Sequence, residues 1–343
     1  MASAGSLRAR AKRAGITIGG AATGQQLQDA EFARIVAADL QYLTTENDLK
    51  WDYMEPARAS FRLDGGRSLI NFAKANRLQV KGHPVIWHRR IPFWARDVLR
   101  HGSLKQCEAL LTERVSSCFS LFRGSINEWD VVNEPADPDG SGGLRGSLWS
   151  SRFGKDFVEI SIAAARASNP KAKIIINEHT LDYDDGFTRR KRKAFLDLLN
   201  HLAAKGALPD AIGIQSHLIV RGAPFNESRF RAFLNEISSF GLDILLSEID
   251  VRDEKAPAGQ TLEQRDKAIA EEAYRYLSVA LTVKSVSHIV FWGLSDRYSW
   301  MNETDRYIWP ARQKPRPLPY DAELVRKPLW FSVAKALDEA PSR

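Results

Sequence analysis

Apolar and polar positions along the chain fall into two alternating patterns. Short runs dense in Val, Ile and Leu occupy 16–21 (ITIGGA), 42–47 (YLTTEN), 80–87 (VKGHPVIW), 126–134 (INEWDVVNE), 172–178 (AKIIINE), 211–217 (AIGIQSH), 243–250 (DILLSEID) and 286–294 (VSHIVFWGL). Between and after them, 27–39, 67–76, 103–121, 153–168, 189–205, 225–240, 261–282 and 324–338 place apolar residues every third or fourth position, the period of a helix with one buried face. In 103–121 the stripe is Leu104, Cys107, Leu110, Leu111, Val115 and Cys118. Apolar strands alternating with amphipathic helices predict a parallel sheet covered by helices. Repeated through the whole chain, the unit predicts an α/β fold closed as a (β/α)8 barrel, a single domain over 1–343.

Length and composition leave that picture standing. A chain of 343 residues with 44% hydrophobic and 27% charged content buries a large core without covalent staples. Internal repeats, low-complexity linkers and composition breaks are all missing from it. Cys107 and Cys118 share one helical run that would hold them roughly 16 Å apart, beyond disulfide reach, so both are expected reduced and buried. No 18-residue apolar stretch predicts a membrane span, and the opening MASAGSLRARAKRAG lacks the apolar centre of a signal peptide. That leaves an intracellular protein or one whose export signal is absent from this sequence; a secreted or periplasmic address, as a monomer, is the expectation.

The formal charge of +7 raises the question of acidic partners. Its densest source, RRKRK at 189–193, opens a helix just after the acidic 182–185. Basic residues that bind nucleic acid gather with aromatics or on a recognisable fold. Neither accompanies this run, so a solvated face is expected, with an acidic polymer as the alternative and no nucleic acid.

Chemistry collects where the strands end: Glu46 with Asn47, His83 with Trp87 and His88, Glu134, Asn177 with Glu178, Gln215 with His217, Glu248 with Asp250, and Trp292. Barrel enzymes catalyse at the C-terminal strand ends, which converge on one pocket. A single Glu at a strand end is ordinarily a surface residue or a helix cap, but polar residues repeated on strand after strand are a poor way to build a core. Glu134 and Glu248 follow apolar strands on opposite sides of the barrel mouth. Two carboxyls facing one cleft suffice to break a glycosidic bond, one protonating the leaving oxygen while the other attacks or activates water. Partial burial of Glu134 is expected to raise its pKa so that it holds a proton near neutrality.

Trp87, Trp292 and Trp300 add flat faces for sugar rings, while Asn47, Lys50, His83, Asn133 and Gln215 offer hydrogen bonds to hydroxyls. Each Trp taken alone suits core packing equally well; together with the polar set they suggest a polysaccharide cleft. The seven His show no HExxH or other paired metal spacing, and no phosphate-binding Gly loop occurs, so neither metal nor cofactor is expected.

These residues resemble glycoside hydrolase family 10, the retaining endo-β-1,4-xylanases. The resemblance runs through RAKRAGITIGGA, TTENDLKW, KGHPVIWH, WDVVNEP, AIGIQSH, LLSEIDV, FWGLSDRYSW and PLPYDAELVRKPLW. It implies that Glu134 is the acid/base with Asn133 beside it, and that Glu248 is the nucleophile, oriented and kept ionised by His217 and Asp250. Glu46, Asn47, Lys50, His83 and Trp87 would bind the glycone side, and Gln215, Trp292 and Trp300 would line the bond to be cut. Xylan and xylo-oligosaccharides would be the partners. A related β-1,4-glucanase, an exo-acting xylosidase, and a non-catalytic carbohydrate-binding barrel are the alternatives.

The chain departs from the family's pattern in places. Arg90 stands where a Gln is usual, Asn177, Glu178 and His179 where Asn-Asp-Tyr is usual, and Met301 where an Arg is frequent. Arg90 is expected to pair with Glu46 or Glu178, or to meet a glucuronate branch of the substrate. Family members often carry a cis peptide after the equivalent of His83, and Pro84 makes a cis His83–Pro84 bond the expectation.

Overall fold

The computed structural model describes residues 5–255, 257–303 and 314–343, so the 295–323 loop is described in part. Ten parallel strands form the sheet: β1 (Thr17–Ala22), β2 (Tyr42–Thr45), β3 (Gln79–Gly82), β4 (Ile86–Trp87), β5 (Glu128–Asn133), β6 (Lys173–Glu178), β7 (Ala211–Ile214), β8 (His217–Ile219), β9 (Asp243–Arg252) and β10 (Val286–Phe291). The order β10-β1-β2-β3-β5-β6-β7-β9, with β10 also pairing β9, closes a barrel. β4 and β8 are short extensions lying on β5 and β9 at one rim. The eight expected strands are therefore the staves of the expected barrel.

Two staves break where functional residues sit. The run 80–87 is interrupted at 83–85, and 211–217 at Gln215 and Ser216, the latter with φ +60°. At the first break the backbone stays beside β5, Val85 N–H donating to Asp130 O at 2.9 Å, while Arg114 of the helix Leu104–Leu121 donates to the Pro84 and Val85 carbonyls at 3.3 and 3.2 Å. Such pairing replaces the lost ladder bonds, as buried backbone requires. The His83–Pro84 bond is trans, contrary to expectation; the break in β3 and these compensating hydrogen bonds reposition His83 without an isomer change.

The helices pack outside the barrel as their periodicity demands. In Leu104–Leu121, begun by a Ser103/Gln106 capping box, Cys107, Leu110, Leu111, Val115 and Cys118 are buried, whereas Leu104 at the first turn is exposed. Both cysteines are free thiols. The helices Leu7–Arg13, Trp51–Met54, Phe93–His101 and Leu148–Phe153 were not predicted; all four are under ten residues, too short for the pattern to register. Among the described residues no helix is long and apolar enough to cross a membrane.

Candidate active site

Glu134 is the first residue beyond β5, whose Trp129, Asp130, Val131 and Val132 are all buried. Its φ of +58° lies in the left-handed region, which costs a residue with a Cβ about 1–2 kcal/mol. The turn is held from both sides: Glu134 N–H donates to Asn177 O at 2.7 Å, and Arg145 Nε donates to Glu134 O at 3.2 Å. It aims the carboxyl into the barrel mouth, where Gln215 Nε2 donates to Oε1 at 3.2 Å and the rings of His88 and His179 stand 3.7 and 3.9 Å from Oε2.

Glu248 lies within β9 and is 5% exposed. Asn177 Nδ2 donates to its Oε1 at 2.6 Å, and His217 Nε2 lies 3.4 Å from its Oε2. On its other side His217 Nδ1 is 3.0 Å from Asp250 Oδ2, which also accepts from Trp300 Nε1 at 2.9 Å. Burial alone would strip the proton from His217; the charge of Asp250 and the hydrogen bonds of both carboxylates outweigh it and raise its pKa well above the ordinary value. The expected grouping of His217 and Asp250 with Glu248 is present, and it brings a positive charge to the Glu248 carboxyl.

The two glutamates share one polar network. Asn133 Oδ1 accepts from Asn177 Nδ2 at 2.9 Å and from Gln215 Nε2 at 3.4 Å, so Glu134 is joined to Glu248 through Gln215, Asn133 and Asn177. Ser247 donates to Asn177 Oδ1 at 2.6 Å and fixes which way the amide faces. The bare backbone of Gly213 makes room for it: a Cβ there would lie 2.1 Å from Asn177 Oδ1.

The opposite flank gathers the remaining expected residues. Lys50 Nζ donates to Asn47 Oδ1 at 2.7 Å and lies 5.7 Å from the Trp87 ring centre. Gln26 Nε2 donates to Glu46 at 3.0 Å. His83 and Trp292 meet edge to face with centroids 5.0 Å apart, and His83 Nδ1 bonds Asp130 at 2.7 Å. Lys81 completes that buried set, its Nζ 2.8 Å from the same Asp130 oxygen. Arg90 does not reach Glu46 or Glu178: its Nε contacts both oxygens of Asp52 at 2.6 and 2.9 Å, and Asp52 N–H donates back to Arg90 O at 3.0 Å. The short helix Trp51–Met54 brings Asp52 beside Arg90, and the backbone bond between the two residues makes it the nearer partner.

Several residues of this rim were missed. Arg145, from the 135–151 loop, donates to His179 Nε2 at 2.8 Å; an arginine can only donate, so His179 is neutral with its proton on Nδ1, toward Thr180 Oγ1 at 2.6 Å. Lys191 Nζ lies 2.8 Å from Glu178 Oε1, both side chains fully buried. Glu178 also accepts from Ala136 N–H at 2.7 Å and from His179 N–H at 3.0 Å, which ties the Glu134 loop to β6. The basic run is therefore not a uniform solvated face. Lys191 and Arg192 are buried, while Arg189, Arg190 and Lys193 pair outside with Asp184, Asp139 and Asp197. The signal was available, since Lys191, Phe195, Leu198 and Leu202 fall on one helical face.

A groove of about 330 Å³ is lined by Glu134, His179, Gln215, His217 and Trp300. Burial opposes ionisation of Glu134, but the charge that the His179 and His88 rings take up in acid, together with the Gln215 hydrogen bond, prevails and holds its carboxyl below the usual range. The expectation of a raised pKa is thereby reversed for the groove without sugar, because polar partners were not readable from the apolar strand that precedes Glu134. Among the described residues one trio, Asp156, Glu159 and His201, brings possible metal-ligand atoms within 4.8 Å of one another. It sits on outer helices, and Lys205 Nζ, 3.8 Å from Glu159, already supplies a cation.

A closed parallel barrel carries two linked carboxylates among aromatic and amide groups at its strand ends, an arrangement chemically suited to breaking a glycosidic bond. Residues 6–336 match the sequence profile of Glycosyl hydrolase family 10, and the chain belongs to that family. It is 29% identical to endo-1,4-beta-xylanase C of Phanerodontia chrysosporium over 97% of this chain and 79% of that protein. It is 30% identical to an endo-1,4-beta-xylanase of Agaricus bisporus over 95% and 93%. Native xylanase 10B of Thermotoga maritima superposes with a TM-score of 0.86 at 29% identity, covering 97% and 98% of the two chains. Xylanase 10B of Thermotoga petrophila, solved with xylobiose, gives 0.86 at 28%, covering 97% of each.

Proposed function

We propose that this protein is an endo-β-1,4-xylanase that cuts xylan by double displacement with retention of configuration. The single observation carrying the assignment of roles is the hydrogen-bonded line Glu134, Gln215, Asn133, Asn177, Glu248 across the strand ends. Glu248 attacks the anomeric carbon; the bond from that carbon to the glycosidic oxygen breaks, and the departing oxygen takes a proton from Glu134. Water then attacks the same carbon and gives a proton to Glu134 while the bond from that carbon to the Glu248 oxygen breaks, freeing the sugar and the Glu248 carboxylate.

Glu134 must be protonated for the first step. Sugar entering the groove displaces water from a carboxyl that is already only 12% exposed, and desolvation favours the neutral form. His88 and His179, lowered to about 4 and about 3, chiefly by burial, carry no charge at neutral pH. After the ester forms, Glu248 is neutral, and Glu134 more readily stays ionised as the base.

Glu46, Asn47, Lys50, His83 and Trp87 are assigned to the glycone side, with Asn133, Gln215, Trp292 and Trp300 around the scissile bond. Since a polymer cannot pass a membrane, a secreted or periplasmic monomer acting as one catalytic unit fits this reading. The test is cleavage of an activated aryl xylobioside: Glu248→Ala should be nearly inactive, and azide should restore Glu134→Ala by attacking the glycosyl ester in place of water, giving a glycosyl azide of retained configuration. A fully active variant at either position would defeat the assignment. Release of sugar from carboxymethyl cellulose in preference to xylan, or of single xylose units only, would move it to a glucanase or an exo-acting enzyme.

A further inference from the structure

The adjacent Arg89 and Arg90 differ in what occupies them. Arg90 is taken by Asp52. Arg89 is exposed, and among the described residues no carboxylate lies within ion-pair distance of it. It lines the groove that holds Glu134, His179, Gln215 and Trp300. Its guanidinium is 6.0 Å from the Trp87 ring centre, and its Nε donates to His88 Nε2 at 3.2 Å. The stem and Nε are thus tethered by protein, while the two terminal nitrogens are left for a ligand. A planar fork of this kind matches a carboxylate, and holding it in place beforehand reduces the ordering cost of binding. Across the groove the other arginine, Arg252, is engaged with Glu254 at 3.5 Å.

We propose that Arg89 is a specificity-determining residue that receives the carboxylate of a uronic acid branch on the xylan chain, so that this enzyme favours glucuronate-bearing substrate. The proposal rests on the xylanase reading and refines it. A neutral sugar backbone offers a guanidinium nothing it does not already obtain from water, whereas a branch carboxylate gains a charge-assisted pair beside an aromatic face. Position matters too: Arg89 bonds His88, whose Nδ1 stands 3.7 Å from Glu134 Oε2, so the branch it meets is carried by a sugar near the bond to be cut.

The experiment compares kcat/KM on three sets of xylo-oligosaccharides: unbranched, carrying one glucuronate moved sugar by sugar, and the same branched set with the carboxyl reduced to the alcohol. For one branch position the wild-type enzyme should prefer the acid over its reduced form by about tenfold. Arg89→Gln should bring that ratio to within twofold of unity, and Arg89→Lys, keeping the charge without the fork, should fall between. The preference should also shrink as salt rises. Because each result is a ratio within one protein, a general loss of activity in a variant does not imitate it. No preference in the wild type, or a preference that survives in Arg89→Gln, overturns the proposal. Failure of the wild type on all three sets overturns the xylanase reading itself.

Discussion

Asn177 Nδ2 lies 2.6 Å from Glu248 Oε1, and the same nitrogen donates to Asn133 Oδ1 at 2.9 Å. One amide thus fixes the proposed nucleophile to the residue preceding the proposed acid. Asn177→Ala removes both bonds and leaves a buried carboxylate oxygen short of a donor, at a cost of about 1–3 kcal/mol. On an aryl xylobioside kcat should fall roughly 10- to 100-fold with little change in KM. A variant with wild-type kcat would show that the amide does not hold Glu248 in its reactive position.

Gly213 supplies a second handle on the same amide. Alanine there forces the Asn177 side chain to move, because the added carbon would sit 2.1 Å from Oδ1. Gly213→Ala should therefore lower kcat at least as much as Asn177→Ala, and the two changes combined should cost little more than either alone. Additive losses in the double variant would mean that the two residues act independently.

Lys191 and Glu178 form a fully buried pair at 2.8 Å. Removing the cation by Lys191→Met strands a carboxylate and should cost about 3–5 kcal/mol at neutral pH, measured by urea unfolding. Burial already raises the Glu178 pKa despite Lys191, and the variant raises it further. A carboxyl with a raised folded-state pKa costs no stability below its unfolded value, and the cost grows as pH climbs from that value to the folded one. The deficit of the variant should therefore be smaller near pH 4 than at pH 7.

His217 sets a different pH dependence. Its folded-state pKa is raised well above the ordinary value, so its contribution is fully present below the unfolded value of about 6.5 and is lost as pH rises through the folded one. The Tm gap between wild type and His217→Asn should be widest near pH 6 and narrow steadily into the alkaline range. A gap constant from pH 6 to pH 10 would mean that the imidazole is neutral throughout.

The barrel was legible because its strands and helices differ in period, and the carboxyl pair because each member ends an apolar run. Less visible was which polar residues serve the interior. Lys191 lies inside a basic run that looks made for solvent, yet its helical phase turns it inward to Glu178. Arg145 comes from a loop with no periodicity, so nothing in the chain announced its contact with His179. The pairing of Arg90 with Asp52 was misjudged in favour of more distant glutamates, because an intervening turn of helix, Trp51–Met54, was too short to be foreseen. The break after His83 was read as a peptide isomer when Arg114, reaching in from a helix, secures it instead.

The amides between the two glutamates come from β5, from β6 and from Gln215 directly after β7, and not from the longer loops above them. The rim can thus change at Arg89, which bonds neither glutamate, while the gap between the two carboxyls stays as the strands set it.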